Sequence, residues 1–105
     1  MARYRLQYHP HVADDLFKIF LLIEDYAGSD VAHRKLSEIE LVMRNLCDFP
    51  YVGTARAAFN DNLRAIPAAE KGVICFTVSE EPQTIFVLCV SYAGSDWMAR
   101  IRERQ

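Results

Sequence analysis

Residues 10–50 read PHVADDLFKIFLLIEDYAGSDVAHRKLSEIELVMRNLCDFP, and their spacing decides the fold. Pro10 suits the first turn of a helix, where its missing N–H removes no bond. Val12, Leu16, Ile19, Ile23 and Ala27 then recur at intervals of three and four, which makes one core-facing stripe. Phe17 and Leu21 lie well round the helix from that stripe. A helix apolar on more than one side is buried on more than one side, and the expected second contact is the next helix, with a partner chain as the alternative. Gly28 breaks the pattern, and Ser29 or Asp30 can cap a second helix. Ala32, Leu36, Ile39, Met43 and Leu46 form its stripe. Phe49–Pro50 stops it, because the residue before proline avoids helical geometry. With only two or three residues between them, the helices form an antiparallel hairpin.

On the N-terminal side of this hairpin, RYRLQY (3–8) alternates, with Tyr4, Leu6 and Tyr8 on one face, as in a half-buried strand. On the C-terminal side, Pro50–Arg56 is a loop and Asn62–Ile66 a short strand, with a turn at Pro67–Gly72. GVICFTVS (72–79) is apolar on both faces, as a central strand is. Glu80–Gln83 is a tight turn, and TIFVLCVSY (84–92) is a second apolar strand antiparallel to the first. Ala93–Asp96 ends it, and Trp97–Arg104 is a short helical tail. The order β-α-α-β-β-β specifies an α+β domain: an antiparallel sheet of three to four strands with the helical hairpin packed on one face.

The bulk numbers narrow the function. A chain of 105 residues is one domain, here taken as residues 1–105. No apolar run approaches the ~20 residues of a membrane span, and no apolar segment follows the basic N-terminus as in a signal peptide, so the expected location is the cytoplasm. Net charge is −2, from 12 basic and 14 acidic residues, which argues against coating nucleic acid by charge alone. Cys47, Cys75 and Cys89 are widely spaced in apolar context and read as reduced and buried. His9, His11 and His33 have no metal-site spacing. No metal and no cofactor is expected.

Several local features then coincide. The first helix opens Pro10-His11-Val12-Ala13-Asp14-Asp15-Leu16, and the second closes in an L-x-x-x-P-x-x-G pattern of Leu46, Pro50 and Gly53. Asn62-Leu63-Arg64 follows, and the last strand ends Val90-Ser91-Tyr92. Over nearly its whole length the sequence resembles the RelE/ParE toxin superfamily, whose members are toxins of type II toxin–antitoxin systems and include plasmid stabilisation proteins. The resemblance implies a toxin silenced by a cognate antitoxin that wraps an extended or helical segment around it. It also implies one of two targets: DNA gyrase in the ParE-like branch, or messenger RNA on the ribosome in the RelE-like branch.

Chemistry separates the branches. Cutting RNA at a 2′-hydroxyl needs a base, a group that stabilises phosphate charge and an acid for the leaving oxygen. In this chain Arg64, Arg56, Lys71 and Tyr92 are the whole polar kit, and no lysine or arginine lies between Tyr92 and Arg100. The ParE-like reading, a gyrase inhibitor that acts by binding, is therefore preferred. The alternatives are a ribosome-dependent endonuclease using Arg64 and Tyr92, and a degenerate module that retains only antitoxin binding. Arg56, Arg64, Lys71, Tyr92 and Asp96 are the candidate target- or partner-binding polar residues. Phe17, Leu21 and Trp97 are the candidate apolar contacts of the antitoxin. Each has a plainer role: Arg64 paired with Asp61 or Glu70, Tyr92 as packing, Asp96 as a helix cap, and Trp97 as a cover for the core edge.

Overall fold

A computed structural model gives the fold and describes residues 3–56, 62–94 and 97–104, with the backbone alone at Trp97. The chain runs β1 (Arg5–Tyr8), α1 (Val12–Ala27), α2 (Ser29–Asn45), β2 (Thr54–Ala55), β3 (Leu63–Ala68), β4 (Gly72–Glu80), β5 (Gln83–Tyr92) and α3 (Trp97–Arg104). The strands form one sheet in the order β1-β5-β4-β3-β2. The α+β class and the helical hairpin on one sheet face are as the sequence predicts. The sheet is larger, with five strands, and mixed: β1 runs parallel to β5, with Leu6 opposite Ile85 and Tyr8 opposite Val87. Alternation reveals which face a strand buries but not which strand lies beside it, so the parallel pairing had no signature.

The two helices meet at Gly28, which itself caps α2 in place of Ser29 or Asp30; its φ of 92° is open to glycine and strained for other residues. Val12, Ile19 and Ile23 of α1 and Ala32, Ile39 and Met43 of α2 pack on Ile74, Phe76, Ile85, Val87 and Val90 of the sheet. A second, smaller core lies on the opposite face, where Ile101 of α3 covers Leu63, Ala65, Cys75, Leu88 and Cys89. Burial on both faces is why β4 and β5 read as continuous apolar runs. A bulge interrupts their ladder: Cys75 pairs with Cys89 and Phe76 with Val87, which leaves Leu88 unpaired and puts both Leu88 and Cys89 on the α3 side. Among the described residues, no helix is long and apolar enough to cross a membrane.

One predicted boundary and one predicted contact change. Pro67 and Ala68 belong to β3, and the turn that follows holds Ala69 and Glu70 at φ of 52° and 67°. Phe17 and Leu21 are not covered by α2; they are 61% and 45% exposed. The helical hairpin packs through a single stripe on each helix, so the extra apolar residues of α1 stay in solvent.

Candidate functional site

Arg64 stands on β3, opposite Phe76, and so shares the face of the helical hairpin, at the end of the sheet that the helices leave open. Its guanidinium donates to three backbone carbonyls of the preceding loop: Nε to Val52 O at 3.1 Å, and Nη2 to Tyr51 O at 2.7 Å and Gly53 O at 3.3 Å. The group also lies 5.7 Å from the centre of the Tyr51 ring. Gly53 is what lets the loop come this close. It sits at a φ of 81°, and a Cβ there would stand 2.4 Å from Ala65 O. The spacing Leu46, Pro50, Gly53 thus has a physical content: Leu46 anchors the end of α2 in the core, and Gly53 lays the chain against β3.

The same loop is tied from its other side. The Glu80 carboxylate, at the end of β4, accepts the Tyr4 hydroxyl at 2.7 and 2.8 Å and the Tyr51 hydroxyl as well. The hydrogen bonds from Tyr51 and Tyr4 hold the Glu80 carboxyl below its ordinary range. In return the bond to Glu80 pushes the Tyr4 phenol up to about 12 and raises that of Tyr51. Between these groups lies a cleft of about 300 Å³, lined by Tyr51, Asn62, Arg64, Val78, Ser79 and Glu80. Its one guanidinium is engaged by carbonyls and its one carboxylate by phenols. The three histidines lie elsewhere: His9 and His11 stack on each other 5.3 Å apart, and His33 meets the edge of Phe20.

Tyr92 is remote from this cleft. It is 4% exposed, packed in the core under the helical hairpin, with its hydroxyl 3.5 Å from that of Tyr26. Burial, and then the bond to Tyr26, pushes its phenol up to about 12. Tyr92 pairs with Gly72 and Arg64 with Phe76, positions four residues apart along β4. That is about 13 Å along the strand, before the two strand spacings across. The two residues proposed for RNA chemistry are therefore not brought together.

The other candidates fall in separate places. Arg56 follows β2 and is exposed. Lys71 lies in the β3–β4 turn with its ammonium 5.9 Å from the Tyr26 ring centre. Asp61, Asp96 and the side chain of Trp97 lie outside the described residues. Glu70 pairs with Lys35 at 3.2 Å, not with Arg64. Leu22 and Tyr26 of α1 are exposed as well, at 45% and 57%, so four large apolar residues of this helix face solvent beside its charged Asp14, Lys18, Glu24 and Asp25.

Like the Tyr4–Glu80–Tyr51 cluster, a second polar assembly is absent from the sequence reading. Asp15, 4% exposed, takes two hydrogen bonds from Arg104, at 2.6 and 2.8 Å, and a third from the Val90 N–H at 3.1 Å. Arg104 also donates to Leu88 O, and Arg100 to Val90 O. Past His9, whose N–H meets Val87 O, no strand among the described residues pairs with β5 on this side. Side chains from α1 and α3 thus occupy the backbone edge that a missing strand would otherwise take. The signal was present in α1: Asp15 falls between Val12 and Ile19 on the buried stripe, and a carboxylate there requires a cation.

No protein-family model matches the sequence, and no curated protein does. Among solved structures, it is similar to a chain of the chromosomal ParDE TA system from P. aeruginosa. The superposition has a TM-score of 0.73 and covers 89% of this chain and 99% of that one, at 17% sequence identity. With the element order, the five-stranded sheet and the helical hairpin described above, the chain shares the fold of that ParDE TA-system chain.

Proposed function

We propose that this protein is the toxin of a type II toxin–antitoxin pair, that it acts in the cytoplasm by binding DNA gyrase, and that a cognate antitoxin silences it. The fold shared with a chain of a ParDE TA system supports the toxin reading. The observation that favours binding over catalysis is the state of Arg64: its guanidinium is committed to three loop carbonyls, and Tyr92 is buried about 13 Å further along the sheet. An endonuclease that uses Arg64 and Tyr92 needs both at one phosphate. The antitoxin contact is assigned to the apolar outer surface of α1 around Phe17 and Leu21, a face suited to a partner helix or an extended segment. Arg56 and Lys71, both exposed cations, are assigned to the target.

A supercoiling assay with purified gyrase tests this directly. The expected result is loss of supercoiling with accumulation of cleaved DNA–gyrase complexes. Unchanged supercoiling at a large molar excess of the protein rejects gyrase as the target. Codon-position cuts in translated messages after induction, lost on Arg64→Ala, would establish the endonuclease instead. Normal growth with the partner still co-purifying would leave an antitoxin-binding module without toxicity.

A further inference from the structure

Cys75 and Cys89 face one another across the central strand pair. They are Cα partners in the antiparallel β4–β5 ladder, both fully buried, both on the α3 side of the sheet. Directly opposite residues of such a ladder hold their Cα atoms about 4.5–5.5 Å apart, inside the 4.4–6.8 Å that a disulfide spans. The pair also sits at the bulge, where Leu88 has no partner and the ladder can twist to bring two sulfurs into bonding geometry more easily than a regular ladder does. Cys47 is the third thiol and takes no part; it lies after α2, with its carbonyl bonded to the Tyr4 N–H.

We propose that Cys75 and Cys89 form an oxidisable dithiol site, which hydrogen peroxide converts to a cross-strand disulfide, with α3 as its cover. Cys89 is the attacking sulfur: it lies between Leu88 and Val90, whose carbonyls accept from the Arg104 and Arg100 guanidinium groups, so two cations flank it, with the Asp15 carboxylate opposing them. The Cys89 sulfur gives up its proton and attacks one peroxide oxygen, the O–O bond breaks, and the hydroxide released takes the Cys89 proton to become water. The resulting sulfenic acid is attacked by the Cys75 sulfur. The S–S bond forms as the S–O bond breaks, and the oxygen leaves with the Cys75 proton as a second water.

Access is governed by α3. It has eight residues, too few to hold a helix unaided in water, and its buried apolar anchor is Ile101, seated on the cysteine pair. Opening of α3 is therefore the step that admits peroxide.

The test is to treat the full chain with hydrogen peroxide, block remaining thiols with iodoacetamide, and map the peptides by mass. The expected product is a Cys75–Cys89 linked peptide with Cys47 alkylated, in a monomer. Ile101→Ala, which thins the cover without altering charge, is expected to form the link several-fold faster. A link through Cys47, disulfide dimers, sulfinic acid without a link, or a folded chain whose Cys75 and Cys89 stay reduced while the urea-unfolded chain oxidises would each overturn the site. An Ile101→Ala rate equal to that of the parent would overturn the role of α3. The mapping needs no cysteine variant, so it does not depend on one folding.

Discussion

Arg64 is the residue whose role changes most between sequence and structure. On an alternating strand an arginine reads as a solvent-facing cation, yet here it binds the carbonyls of residues 51–53 and is part of the wall that holds them. Arg64→Ala removes three hydrogen bonds from a charged donor and is expected to cost about 1–3 kcal/mol in urea denaturation, with faster amide exchange around the loop. Arg64→Lys is expected to recover little, because one ammonium cannot reproduce the forked geometry. Restoration by lysine would mean that charge, not loop anchoring, is what matters. Glu80 carries a pH dependence at the same corner. Its carboxyl titrates below the ordinary 4.5 when folded, so its contribution is present above that value and is lost as pH falls through the folded pKa. Tyr4 behaves in the opposite sense: it is raised from 10.0 to about 12, so its contribution is present below pH 10 and is lost as pH climbs toward 12. Glu80→Gln should flatten the acid side of the stability profile and let Tyr4 ionise nearer 10, both measurable by denaturation and ultraviolet titration. A Glu80→Gln profile that overlays the parent's would remove Glu80 from the account.

At the scale of elements, α3 is held by a buried ion pair more than by its own helicity. Asp15 is 4% exposed and Arg104 12%, and the bridge between them also closes the uncovered edge of β5. Asp15→Ala leaves Arg104 and the Val90 N–H without their acceptor, a change expected to cost about 3–5 kcal/mol. A double-mutant cycle with Arg104→Ala should show strong coupling between the two, since the second substitution then removes little more. Additive costs would show that the two residues stabilise separate parts of the chain. This bridge also marks where sequence reading stops. The helical hairpin, the apolar strand pair and the α+β class were legible because each is a local periodicity. The Gly53 turn was legible as a spacing, though its cause, the approach to Ala65, was not. The parallel docking of β1 and the bridge from Asp15 to Arg104 join residues at opposite ends of the chain, and no local period encodes them. The Tyr4–Glu80–Tyr51 cluster was hidden for the same reason, as its members come from three segments that meet only once the sheet is assembled.

For the molecule as a whole, the helical hairpin presents an unusual surface: α1 buries one stripe and exposes Phe17, Leu21, Leu22 and Tyr26 among the charged Asp14, Lys18, Glu24 and Asp25. Phe17, Leu21 and Leu22 lie outside the core cluster, and Tyr26 reaches it only through its hydroxyl beside Tyr92, so the core does not account for the apolar character of the first three. The proposed antitoxin contact accounts for them. Phe17→Asp with Leu21→Asp is accordingly expected to change folding stability by no more than about 0.5 kcal/mol, the range of surface substitutions, while co-purification with the antitoxin falls at least about tenfold, the effect of roughly 1.4 kcal/mol in binding. The two readings separate cleanly. Loss of stability comparable to a core truncation would place these residues in the fold's own packing, and undiminished capture by a well-folded double variant would move the partner's footprint off α1. Only a stable double variant that no longer holds its partner fits a surface kept apolar for another chain.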